Sequence, residues 1–247
     1  MYDGLNATVK DRVCWITLDR PDKLNAVTPD MLHALHRVFT EIDGDPDVCV
    51  AVLRGAGDRA FCAGMDLQWA GSLTNADRVE QGRLGSRTFA MMERLSIPVF
   101  AAVHGYVLGG GLELALAADF IVAHEDAKLG LVEITLSARP PFRPKMTEDG
   151  DPDQPEAGGN APGWGGVKRL PARIGRARAK QMLFTGIRLD ARRAFEWGLV
   201  NELFPAADFD SEVAALAERI AAMNRYNLRL VKELVTGGYD WIEPHPV

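Results

Sequence analysis

Two stretches of this chain, residues 48–53 and 97–103, are apolar almost without interruption and too short for helices of ordinary length. Runs of that kind form strands buried on both faces, so they demand a sheet with material packed on either side. Helical segments lie between and after them. Thr28 is placed to cap a helix over 29–42, with Pro29 at its first position, where a missing N–H is harmless. Residues 75–95 show mixed helical periodicity. Gly109-Gly110-Gly111 opens an apolar helix reaching about Ala118, and 176–185, 190–197 and 210–234 are helical. Strand-like pieces at 13–18, 120–123 and 200–204 complete the pattern. Strands alternating with helices predict an α/β domain with a helical C-terminal part.

A chain of 247 residues can bury a sizeable core. Its net charge of -6 argues against general affinity for nucleic acid or anionic membrane. Cys14, Cys49 and Cys62 sit in apolar stretches without a CxxC pair, and read as buried reduced thiols. The N-terminal residues lack a basic segment followed by an apolar one, and no run approaches the ~20 apolar residues of a membrane helix. A cytoplasmic protein with no membrane partner is the expectation. One segment interrupts the pattern. Residues 138–160, rich in Pro, Asp, Glu and Gly, read as an inserted loop.

The chemistry concentrates at residues 104–116. Glycines at a helix start let the backbone approach a ligand and leave N–H groups pointing outward. With the helix dipole, such a site stabilises developing negative charge. Glu113 is the only charged residue from Gly109 to Ala118. A carboxyl among Leu and Ala is partly desolvated, which raises its pKa and suits proton transfer. A first-turn Glu that only complements the dipole fits the stretch equally well. Residues 61–67, Phe-Cys-Ala-Gly-Met-Asp-Leu, again leave backbone accessible for a second N–H donor, and Asp66 reads as a helix N-cap. Glu133 is a lone acid in the apolar run 129–134, and fits an active site or an exposed edge strand. His104 reads as a structural hydrogen-bonding group, and no cluster has metal-ligand spacing.

Six segments in order resemble the crotonase (enoyl-CoA hydratase/isomerase) superfamily over roughly residues 6–234. They are RPDKLNA at 20–26, FCAGMDL at 61–67, GYVLGGGLE at 105–113, LGLVE at 129–133, PGWGGVKRL at 162–170, and DARRA at 190–194 with GLVN at 198–201. The resemblance implies a crotonase-like spiral of ββα turns over residues 1–185, interrupted by the insertion at about 138–160. It implies a helical region over 186–247, shorter than usual for the family, used in a homotrimer or dimer of trimers.

The resemblance also assigns roles. Oxyanion-hole N–H groups fall on Met65 and Gly110, and the acid/base pair on Glu113 and Glu133. Both glutamates hold a water; one helps it attack the β-carbon of an enoyl thioester and the other protonates the α-carbon. Isomerase branches often keep only the second acid, so the presence of both favours hydration. Lys23, Leu24, Ala63 and Gly64 match where the family holds coenzyme A, with Arg20 and Lys23 near its phosphates. The expected substrate is an acyl-CoA, with no metal and no cofactor beyond the coenzyme A of the substrate. The alternatives are an isomerase or C–C hydrolase of the same family, and a catalytically degenerate acyl-CoA-binding protein. An RNA-binding relative would want a lysine comb on the first helix, and residues 28–43 offer only Arg37 besides His33 and His36.

Overall fold

The computed structural model describes residues 3–136 and 161–237. The chain enters through an antiparallel hairpin, β1 (Leu5–Lys10) and β2 (Val13–Leu18), registered from Leu5 opposite Leu18 to Lys10 opposite Val13. Asp11 and Arg12 turn the corner with both φ angles positive, the geometry that matches the twist of paired strands. Helix α1 (Pro29–Gly44) follows, with the Thr28 hydroxyl accepting from the Met31 N–H. Its buried stripe of Met31, Leu32, Leu35, Val38, Phe39 and Ile42 faces the core.

Three strand pairs then repeat one theme. They are β3 (Val50–Gly55) with β4 (Ala60–Cys62), β5 (Val99–Val103) with β6 (Tyr106–Leu108), and β7 (Phe120–His124) with β8 (Lys128–Gly130). After β4 come α2 (Leu67–Ser72) and α3 (Asn75–Glu93); after β6 comes α4 (Gly110–Leu116). Beyond β8 a 3-10 turn spans Glu133–Thr135. The remaining elements are α5 (Gly166–Ile174), α6 (Arg176–Thr185), β9 (Leu189–Asp190), α7 (Ala191–Glu196), β10 (Glu202–Phe204), α8 (Phe209–Ala221) and α9 (Arg225–Gly237).

Within each pair the first strand joins a six-stranded sheet, ordered β1-β2-β3-β5-β7-β10. The second joins a four-stranded sheet, ordered β4-β6-β8-β9. From β2 to β10 the large sheet is parallel, and in the small one only β8 and β9 run antiparallel. The chain thus winds as a spiral of ββα turns, as the resemblance implied.

The two apolar runs now have a reason. In β3, Ala51 and Leu53 point into the main core while Val50 and Val52 point into a second core under α8; in β5, Val99, Ala101 and Val103 oppose Phe100 and Ala102 in the same way. Strand alternation places both sides of these strands in apolar surroundings. Phe100 stacks on Phe120 at 5.1 Å within the second core.

Sequence periodicity predicts one helix over 210–234, and the structure has two. Asn224 accounts for the break: its side-chain oxygen accepts from the Asn227 N–H and its carbonyl from the Leu228 N–H, capping α9 afresh. The Glu133 run is likewise not an edge strand. β8 lies between β6 and β9, and Glu133 stands beyond it in the 3-10 turn. The proposed insertion at 138–160 and the last residues of the expected C-terminal region fall outside the described residues. No helix among those described is long and apolar enough to cross a membrane.

Candidate active site

The loops that leave β4, β6 and β8 converge on one cavity of about 220 Å³. Ala63, Gly64 and Met65 come from the first loop, Gly109, Gly110 and Glu113 from the second, and Val132 and Glu133 from the third. Four of the residues singled out from the sequence for the reaction, Met65, Gly110, Glu113 and Glu133, therefore line the same space. Parallel pairing of β4 with β6 and of β6 with β8 sets the three loops side by side.

Around the oxyanion candidates the backbone is held while two donors stay free. The Val27 N–H donates to the Gly64 carbonyl and the Asp66 N–H to the Val27 carbonyl, which skips Met65. Gly110 opens α4, where a first-turn N–H has no helical acceptor. Among the described residues neither N–H has a hydrogen-bond acceptor. A β-carbon built on Gly64 would lie 3.3 Å from the Gly110 nitrogen, so the two loops are in contact. Two neighbouring N–H groups without acceptors suit a developing oxyanion.

Glu113 is buried, with 2% of its surface exposed. Its Oε1 accepts from the Trp164 N–H at 2.8 Å and the Gly166 N–H at 2.7 Å. Burial pushes its pKa up; those N–H groups and the more distant Arg169 pull it back down. The loop that supplies them is clamped. Arg169 forms a two-pronged pair with Glu93, at 2.8 and 2.7 Å, and donates to the Trp164 carbonyl at 2.7 Å. Gly165 sits at φ +107°, and a β-carbon there would strike the Arg169 guanidinium. Trp164 packs edge-on against Phe89 at 5.4 Å, and its indole N–H donates to the Gln81 carbonyl at 3.3 Å.

Glu133 is the complement of Glu113. Its Oε2 is buried and has no hydrogen-bond partner among the described residues, while Oε1 lies against Gly109. Burial first, and then the charge of Glu113, push its pKa up to about 7. The two carboxyls differ in surroundings: Glu113 is held by two N–H donors, and its charge adds to the burial that raises Glu133.

A stability prediction follows from that shift. An unfolded glutamate titrates near 4.5 and the folded Glu133 near 7, so in between the folded state holds a proton that the unfolded chain has released. Stability then falls as pH rises through this window, and the penalty is complete above it. Glu133→Gln removes the titration. It should melt above wild type at about pH 8, with the gap closing toward about pH 5, in thermal unfolding followed by circular dichroism. A gap of equal size at both pH values would contradict the assignment.

The residues matched to coenzyme A lie on neighbouring backbone. Leu24 and Asn25 hold positive φ, and the Leu24 carbonyl accepts from the Ala63 N–H at 3.0 Å. Lys23 is exposed. Arg20 is engaged within the fold, its Nη1 donating to Asp66 at 3.0 Å and to the Ala26 carbonyl at 2.7 Å. Asn25 is fully buried and donates to the Ala56 and Ala60 carbonyls, and Asp66 caps α2, so both brace the loop. Sequence reasoning gave no role to Trp164, Arg169, Arg78 or Gln81. The tight run Pro162-Gly163-Trp164-Gly165-Gly166 was the available signal for the first of these, because closely spaced glycines can turn several N–H groups toward one carboxylate.

A buried carboxyl pair beside two free backbone donors, at the end of a ββα spiral, defines an acid/base site for chemistry next to a carbonyl. The Enoyl-CoA hydratase/isomerase family profile matches residues 8–147 and 154–244, and this chain belongs to that family. It is 33% identical over 238 residues to the crotonyl-CoA hydratase of Syntrophomonas wolfei, covering 96% of this chain and 83% of the relative. It is 32% identical over 228 residues to the short-chain-enoyl-CoA hydratase of Clostridium acetobutylicum, covering 92% and 78%. The crystal structure of an enoyl-CoA hydratase from Bacillus anthracis superimposes with a TM-score of 0.83 at 34% identity, over 94% of this chain and 82% of that one.

Proposed function

We propose that this protein is an enoyl-CoA hydratase, a hydro-lyase that adds water across the double bond of an acyl-CoA thioester. The observation that carries the reading is the pair of buried carboxyls in one cavity, one held by two backbone N–H groups and the other with a buried oxygen that has no partner among the described residues. The thioester oxygen accepts from the Met65 and Gly110 N–H groups, which draws electron density from the β-carbon. Glu113, as carboxylate, takes a proton from water as the water oxygen bonds to the β-carbon. Glu133, protonated, delivers its proton to the α-carbon as the enolate collapses. Water has then been split across the two carbons, and the carboxyls return to their starting states by exchanging one proton. Dehydration is the same path reversed.

Coenzyme A in this reading runs along Lys23, Leu24 and the Ala63–Gly64 backbone, with Arg20 bracing the loop through Asp66. The carboxyls and N–H donors supply every group the hydration needs, so no metal or further cofactor is part of the proposal. A homotrimer is the proposed assembly, supported by the exposed Tyr226, Val231 and Val235 on α9. Three buried free thiols support a reducing cytoplasmic setting.

The test is loss of enoyl-thioester absorbance across a series of enoyl-CoAs, run over a pH range. Hydration needs Glu133 protonated, so kcat/KM should fall about tenfold per pH unit above about 7. Absence of turnover on every acyl group, or a rate indifferent to pH across that range, would remove the reading.

A further inference from the structure

The wall of the cavity carries a cation that the hydration chemistry does not use. Arg78, on α3, lines the same space as Glu113 and Glu133. Among the described residues it pairs with no carboxylate, and its Nη2 donates to the Ala70 carbonyl at 3.1 Å. Arg169 is the cation that pulls the Glu113 pKa down, and Arg78 is a separate cation on the cavity wall.

Gln81, three residues on and therefore on the same helical face, also lines the cavity. Its side-chain Oε1 is buried without a partner. Trp164 stands between α3 and the start of α4: a β-carbon on Gly85 would meet one edge of its indole and one on Gly110 the other. Arg78 lies seven residues before Gly85, about 10 Å along the helix axis. The same cavity wall presents Leu67, Ala70 and Leu73 from α2 and the turn that follows it.

We propose that this cavity selects acyl-CoA substrates whose chain has an apolar stem and ends in a carboxylate, which Arg78 pairs with and the Gln81 amide flanks. The inference rests on the acyl-CoA reading of the site. A purely hydrocarbon tail would leave a guanidinium and a carboxamide facing apolar carbon in a partly enclosed space. A terminal carboxylate supplies the missing acceptor, and the amide can turn to donate to it. The Glu113 carboxylate repels such a terminus while Arg78 attracts it, which favours one direction for the chain.

The experiment is calorimetric binding of saturated thioesters, which does not depend on turnover. Glutaryl-, adipyl- and suberyl-CoA are compared with pentanoyl-, hexanoyl- and octanoyl-CoA, on wild type, Arg78→Met and Arg78→Lys. At the best-matched length the carboxylated thioester should bind wild type about tenfold or more tightly than its neutral partner. Arg78→Met should bring that ratio to one or below, and Arg78→Lys should retain part of it, because lysine keeps the charge and loses the fork. A role limited to tying α3 to α2 would shift both ligands together and leave the ratio unchanged. Equal or tighter binding of the neutral thioester to wild type at every length overturns the proposal, without reference to any variant. A carboxylate preference in a protein that hydrates no enoyl-CoA would uphold this inference and remove the hydratase reading instead.

Discussion

Glu113→Gln is expected to lower kcat for hydration by about 10³-fold while changing KM little. The substitution isolates basicity from geometry. A glutamine side-chain oxygen can still accept from the Trp164 and Gly166 N–H groups, so the clamp on that loop survives. What disappears is the capacity to take a proton from water. A second consequence is read on the same samples. The charge of Glu113 is one cause of the raised pKa of Glu133, so its removal should let Glu133 ionise at lower pH. The alkaline limb of the residual activity should therefore move down the pH scale. A kcat within about threefold of wild type would leave Glu113 as a structural acid and return the isomerase chemistry, which needs only the second carboxyl.

Gly110→Ala is the second change with a large expected effect, about 10²- to 10³-fold in kcat. The position does not need a left-handed backbone, so the argument is one of space. A β-carbon there would overlap the six-membered ring of Trp164. That ring has little freedom to retreat: Gly85 lies against its other edge, Phe89 meets it edge-on, and its N–H is bonded to Gln81. Either the indole or the start of α4 must shift, and a shift of the latter misdirects the oxyanion donor. Overpacking of this kind also lowers stability by roughly 1–3 kcal/mol. Gly44→Ala, at a site where an added β-carbon meets nothing within 4 Å, is the matched control and should leave the rate unchanged. Steady-state kinetics with chemical denaturation separate the two effects, and an unimpaired Gly110→Ala enzyme would remove Gly110 from the oxyanion hole.

The long elements are legible in the chain itself because their signals are local. The capped start of α1, the buried runs of β3 and β5, and the glycine start of α4 all appear in the pattern of residues. The small sheet is not legible in that way. Its strands β4, β6, β8 and β9 are two or three residues long, too short for any periodicity to register. They are specified by pairing with one another, which is non-local. The break between α8 and α9 escapes the sequence pattern for a related reason: apolar spacing continues across it, and only the capping bonds of Asn224 reveal it.

The sequence by itself determined the inventory of this site: two acids in apolar surroundings, glycines that expose backbone, and an α/β frame to carry them. Tertiary structure decided what those residues do. Glu113 and Glu133 are twenty residues apart in the chain, and only parallel packing of β6 on β8 brings them into one cavity. In the proposed hydration, their separation into base and acid depends on which carboxyl meets the Trp164–Gly166 loop, about fifty residues beyond Glu113 and held there by Arg169 and Glu93. Proton affinity is a property of surroundings, set by burial, neighbouring charge and donors that strand spacing does not encode. The same holds for Arg78, an ordinary helix cation in sequence that becomes a candidate for substrate selection because α3 forms a wall of the cavity.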